Sequence, residues 1–104
     1  MQSKVAWSDQ VETYVRSKAP EPRKQLWRAI KSLTAWNGKA TPPRIRHLED
    51  DLTGYTRLRV GSHRVIFRED FEAGQRVLKC LYAGPRSTVY EAFSELMLDE
   101  LAGF

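Results

Sequence analysis

The sequence predicts an α+β fold, a small antiparallel sheet with an N-terminal helical hairpin packed on it and a C-terminal helix. Three observations carry that prediction. Two stretches in the first forty residues repeat their apolar side chains at helical spacing. Residues 52–67, LTGYTRLRVGSHRVIF, alternate apolar and cationic side chains around Gly61 and Ser62, as a β-hairpin does. A third helical period starts after the break at Gly84 and Pro85.

Taken in order, Lys4–Trp7 reads as a short first strand. Asp9 with Glu12 has capping-box spacing, and Val11, Tyr14 and Val15 then share one helical face. That helix ends before Pro20, because the residue before a proline resists the helical region. Pro22 suits the first turn of a second helix, whose apolar stripe is Leu26, Trp27, Ile30 and Leu33. Arg23, Lys24, Arg28 and Lys31 fall on its other faces, and Asn37-Gly38 reads as its stop. Residues 40–54 form a connector with a basic start, Arg44-Ile45-Arg46-His47, and an acidic run, Glu49-Asp50-Asp51.

Glycine first in a two-residue loop suits a type II′ turn, which fixes the hairpin register. Val60 then opposes His63, Arg59 opposes Arg64, Leu58 opposes Val65, Arg57 opposes Ile66, and Tyr55 opposes Arg68. One face carries Leu58, Val60, Val65 and Phe67, a core face; the other carries Tyr55, Arg57, Arg59, Arg64 and Arg68. Like charges directly opposed across strands are destabilising, so the Arg59–Arg64 pair is a local conflict. Clustered guanidinium groups suit bidentate binding of phosphate. The alternative is a solvated face neutralised by neighbouring carboxylates. A third strand over residues 77–83 places Leu78, Cys80 and Tyr82 on one face, with Val77, Lys79, Leu81 and Ala83 on the other. Ile66 and Leu81 put apolar surface among the arginines, so that face is expected to be partly covered too. In the last helix, opened by Thr88 and Glu91, Val89, Phe93, Leu96, Met97 and Leu101 form the apolar side. Glu91, Glu95 and Asp99 form an acidic stripe on its exposed side.

At 104 residues the chain is a single domain, 1–104, large enough to bury a modest core. Its net charge of +4 is unevenly spread: residues 1–43 sum to +5, 44–68 to +3, 69–86 to zero and 87–104 to −4. A basic body with an acidic end points to an anionic partner such as nucleic acid. Cys80 is the only cysteine, so no intramolecular disulfide forms, which suits a reducing cytosol. No apolar run spans a bilayer and no secretory signal opens the chain, so a cytoplasmic protein with no membrane partner is expected. Metal-ligand spacings, a phosphate loop and a dinucleotide fingerprint are all missing, so neither metal nor cofactor is expected. His63, beside the hairpin turn on its core side, reads as structural, and His47 stays open.

His47-Leu48, Leu52-x-Gly54-Tyr55, the run RLRVGSHRVIF from Arg57, Gly84-Pro85-Arg86 and Val89-Tyr90 together resemble the RelE/ParE superfamily of bacterial type II toxins. The resemblance covers most of the chain, the helical hairpin included. The RelE branch implies an endoribonuclease that cuts mRNA on the ribosome, inhibits translation and is silenced by a cognate antitoxin. The ParE branch implies a non-enzymatic inhibitor of DNA gyrase, and a third possibility is an attenuated homologue that only binds an antitoxin. Position by position, Arg64 matches the hairpin arginine that holds the scissile phosphate. Arg86 matches, with a short gap, the arginine that stabilises the leaving group. Tyr90 matches the tyrosine that orients or stacks on substrate. Arg59 stands where a lysine has been proposed as general base, with Arg57 at its neighbour's place. Arg59, Arg64, Arg86 and Tyr90 are therefore the implied catalytic set, and Arg46, Arg57, Arg68 and Tyr55 the implied RNA contacts. Two departures matter. Arginine stays protonated at any ordinary pH and is a poor base. The connector carboxylate of another RNase branch is replaced at about Arg46, and that branch's histidine near the chain end is missing.

Overall fold

The alternation around Gly61 and Ser62 folds as expected into two strands of a five-stranded sheet. The computed structural model describes the backbone of residues 3–102 and the side chains of residues 3–98. In chain order the elements are β1 (Lys4–Trp7), α1 (Asp9–Arg16), α2 (Pro20–Ser32), β2 (Ile45–His47), β3 (Thr56–Val60), β4 (His63–Glu72), β5 (Gln75–Pro85) and α3 (Val89–Ala102). The sheet order is β1-β5-β4-β3-β2. The register from Arg57–Ile66 to Val60–His63 is the one that the turn chemistry dictates, and Gly61 takes the positive φ of +60° that a type II′ turn needs.

The two sheet faces are covered by different helices. Val11 and Val15 of α1 and Leu26 and Ile30 of α2 pack on Leu58, Val65, Phe67, Leu78 and Cys80, forming the main core. On the opposite face Val89 and Phe93 of α3 close over Ile66, with Tyr55, Leu81, Tyr82, Tyr90 and Met97 around them. The arginine face is thus partly covered, as the apolar residues on it require.

Several local expectations are corrected. The cap of α1 is Ser8, whose hydroxyl accepts the Val11 N–H, rather than Asp9; Glu12 instead accepts the Trp7 indole N–H at 2.9 Å and pairs with Arg16. The connector contains β2, hidden in the sequence because three residues are too short for alternation to register. The sheet is mostly antiparallel, but β1 joins β5 in parallel. The β3–β4 ladder ends at Thr56–Phe67, so Tyr55 does not pair with Arg68. Between Ile66–Tyr82 and Phe67–Cys80 the register slips by one, leaving Leu81 as the extra residue of a β-bulge. Beyond it the faces exchange: Tyr82 turns to α3 beside Leu81, and Ala83 joins Cys80 in the main core. Leu96 is exposed rather than packed, Glu91 and Glu95 are exposed as expected, and Asp99 and Leu101 lie outside the residues whose side chains are described. No helix among the described residues is long and apolar enough to cross a membrane.

Phe67 is fully buried where its ring meets Trp36 edge-on at 5.5 Å. Phe67→Ala should cost about 3–5 kcal/mol in urea unfolding, the usual cost of emptying an aromatic core site.

Candidate functional site

Strand pairing places the arginines in two cross-strand rows. Arg46 opposes Arg57, which opposes Ile66; Arg59 opposes Arg64, which opposes Gly84. Arg64 is the buried member, only 8% exposed. Its Nη1 donates to the carbonyls of Gly61 at 2.8 Å and His63 at 2.9 Å. Between those two residues, the Ser62 carbonyl accepts the Arg86 backbone N–H at 2.9 Å. Three consecutive carbonyls of one tight turn therefore hold the two arginines that the sequence singled out.

The electrostatics agree with the strand register. Burial, then the charge of Arg57, pushes the Arg64 pKa below its ordinary value; Tyr90 opposes the shift, and Arg59 and Arg86 add to it. Arg64 thus feels all four neighbours, and the guanidinium nonetheless stays charged. Arg57 donates from Nη2 to the Pro43 carbonyl at 3.1 Å, while its buried Nε has no hydrogen-bond partner. Arg46, Arg59 and Arg86 are exposed, and Tyr90 is half-buried. Tyr90 and Arg46 line one cavity of about 280 Å³, together with His47, Leu48, Glu49 and Asp50. Glu49 and Asp50 are missing from the sequence-level site; their acidic run signalled only a connector, and their approach to Tyr90 depends on β2 folding back onto β3.

Arg68 and Tyr55 stand apart from this cluster. Arg68 shares the face but pairs with Asp70 at 3.9 Å, within a network where Lys79 bridges Asp70 at 3.2 Å and Glu72 at 2.6 Å. Tyr55 stacks edge-on against Phe93 at 5.1 Å and lines a second cavity with Trp36, His47 and Glu69. The His47 imidazole contacts Thr56 Oγ1 at 3.1 Å and packs by the Trp36 ring, so it belongs to the helical-hairpin side.

The cations of β3 to β5, with Arg86, fall into two populations. Arg68, Arg76 and Lys79 are neutralised by Glu69, Asp70 and Glu72. Among the described residues, Arg57, Arg59, Arg64 and Arg86 enter no ion pair. A solvated face balanced by carboxylates describes the first group and fails for the second. The second is a group of planar, donor-rich cations with no carboxylate to balance them.

No protein-family model and no curated protein matches the chain. Solved structures do. The toxin of the archaeal RelE–RelB complex from Pyrococcus horikoshii is 25% identical with a TM-score of 0.61, over 83% of this chain and 97% of that one. The RelBE2 toxin–antitoxin complex from Mycobacterium tuberculosis aligns at 15% identity and a TM-score of 0.64, over 84% and 94%. A YoeB/ParE toxin from Agrobacterium tumefaciens aligns at 18% and 0.60, over 79% and 97%. The chain has the RelE/ParE toxin fold.

His63 anchors the turn to α1 through a 2.7 Å hydrogen bond between its Nδ1 and the Tyr14 hydroxyl. Burial, then Lys18 and Arg64, holds its pKa below the ordinary 6.5. As pH falls below about 6.5 the unfolded chain takes up a proton that the folded chain resists, so stability present above that pH is lost down to the folded pKa. Urea midpoints measured between about pH 7 and about pH 5 should fall less for His63→Gln than for the unaltered protein. Equal slopes would contradict the assignment.

Proposed function

We propose that this chain is the toxin of a toxin–antitoxin pair and acts as a ribosome-dependent endoribonuclease on mRNA. The observation that carries the proposal is the group of four arginines left without carboxylates around one turn. RNA supplies the missing negative charge, and the resemblance of this hairpin to the RelE branch points to the ribosome-bound message. The reaction is attack of a ribose 2′-oxygen on the adjacent phosphorus. The P–O5′ bond breaks, leaving a 2′,3′-cyclic phosphate and a free 5′-hydroxyl.

The protein's share is positioning and stabilisation of the charge that builds on the phosphate oxygens. Arg64, fixed by the turn carbonyls, holds the phosphate, and Arg86 supports the departing 5′-oxygen. Arg57 and Arg59 add field strength and contacts to neighbouring phosphates, and exposed Arg46 extends that surface toward β2. Tyr90 stacks on a base or relays a proton from its place beside Arg64. Arg59 cannot accept the 2′-proton, whereas Glu49 and Asp50, lining the Tyr90 cavity, are carboxylates that can. An antitoxin segment that covers the arginine face would silence the site. The RelE–RelB and RelBE2 neighbours are toxin–antitoxin complexes, which supports such a partner.

A gyrase-binding, non-enzymatic toxin is the second reading, and Arg59 in place of a lysine favours a third, an attenuated homologue that only binds an antitoxin. Purified protein added to ribosomes carrying a defined mRNA separates the first two. Cleavage products with new 5′-hydroxyl ends should appear, and Arg64→Ala and Arg86→Ala should each slow cleavage by about 10²–10³-fold, the usual loss of a transition-state charge donor. Intact mRNA together with DNA breaks in producing cells would replace this proposal with the gyrase reading.

A further inference from the structure

Where β1 stops at Trp7, opposite Cys80, β5 runs on to Pro85 with one side unpaired by any strand among the described residues. Side chains of α1 and its cap take over that side. The Ser8 N–H donates to the Cys80 carbonyl at 3.0 Å, and the Ser8 hydroxyl to the Leu81 carbonyl at 2.9 Å. Gln10 then brackets Ala83 as a strand neighbour would: its Nε2 donates to the Ala83 carbonyl at 2.7 Å and its Oε1 accepts the Ala83 N–H at 2.8 Å. One helical turn later on the same face of α1, the Tyr14 hydroxyl meets His63 Nδ1.

These two grips fall at informative places. Ala83 lies three residues before Arg86, next to the Gly84 that pairs with Arg64. His63 supplies one of the carbonyls holding the Arg64 guanidinium. Helix α1 packs on the main core, on the sheet face opposite the arginines. Lys18 sits over the Tyr14 ring at 4.1 Å, fixing the ring without consuming its hydroxyl.

We infer that Gln10 and Tyr14 are positioning residues for the anion site, setting from the β5 edge and the core face the separation of Arg64 and Arg86. The inference rests on the endoribonuclease proposal, in which those two arginines must reach opposite oxygens of one phosphate. Neither side chain touches substrate. Each acts through backbone that a one-ångström shift would misplace, and displacement of that size costs on the order of a hundredfold in rate.

The test is a double-mutant cycle in the ribosome–mRNA cleavage assay, with thermal unfolding as the control for folding. Tyr14→Phe keeps the ring and its packing and removes only the hydroxyl. It should lower kcat by about ten- to a hundredfold and leave KM within about twofold. In an Arg64→Ala background the same substitution should change the rate by less than about twofold, because the group it positions is gone. Gln10→Ala with Arg86→Ala forms a second cycle with the same expectation, and it decides the matter should Tyr14→Phe fail to unfold cooperatively. An unchanged kcat, a change confined to KM, or fully additive losses would overturn the inference. Intact mRNA with the unaltered protein would overturn the endoribonuclease proposal beneath it, and full activity in Arg64→Ala would overturn the role given to that arginine.

Discussion

Arg64 is buried beside other cations and held by carbonyl oxygens instead of a carboxylate, and the hairpin turn is what supplies those oxygens. Taking a charged group out of water is expensive unless a partner compensates. The carbonyls of Gly61 and His63 satisfy part of the guanidinium and leave its charge unneutralised. A carboxylate there would lower the cost of folding but would compete with any incoming phosphate. The turn therefore settles the geometry of the guanidinium and leaves its charge available. Positive φ at Gly61 is what lets successive carbonyls of so short a loop reach both Arg64 and the Arg86 backbone.

Two features of the fold support that turn. The β-bulge at Leu81 switches the faces of β5, placing Tyr82 beneath α3 and Ala83 toward α1. Without it, Ala83 would point toward the arginine face and Tyr82 into the core below α1. Helix α3 then starts with Val89 fully buried, so Tyr90, the next residue, sits at the edge of the arginine cluster. Local irregularity in the sheet is thus what brings an aromatic from α3 beside a guanidinium from β4.

The hairpin and its register were legible because a two-residue Gly-first turn admits few pairings, and side-chain alternation then sorts the faces. The two helices at the start were legible from Val11, Val15, Leu26 and Ile30, all of them buried. A bulge leaves no mark in composition, so Tyr82 and Ala83 were placed on the wrong faces. The three-residue β2 is set by pairing with β3 rather than by its own sequence, and with it went the approach of Glu49 and Asp50 to Tyr90. Arg57, Arg59, Arg64 and Arg68 read alike in the sequence. Only the structure separates Arg68, balanced by Asp70, from the three that are unbalanced.

In the proposed cleavage, that separation bears on the proton that a 2′-hydroxyl must lose. Every residue in the unbalanced cluster is an arginine, and an arginine stabilises negative charge without accepting a proton. Such a cluster still helps a distant base, since its field makes the alkoxide easier to form and the pentacoordinate phosphate less costly. The acceptor then needs only moderate basicity and a place within reach of the ribose. Carboxylates on the rim at Glu49 and Asp50, exposed and beside Tyr90, meet the first requirement, and they share a cavity with Arg46 and Tyr90. Asp50 sits there with a φ of +55°, a left-handed conformation that aspartate adopts more readily than most residues. In the proposed cleavage, the acidic run between β2 and β3 thus supplies the proton acceptor that the arginines cannot.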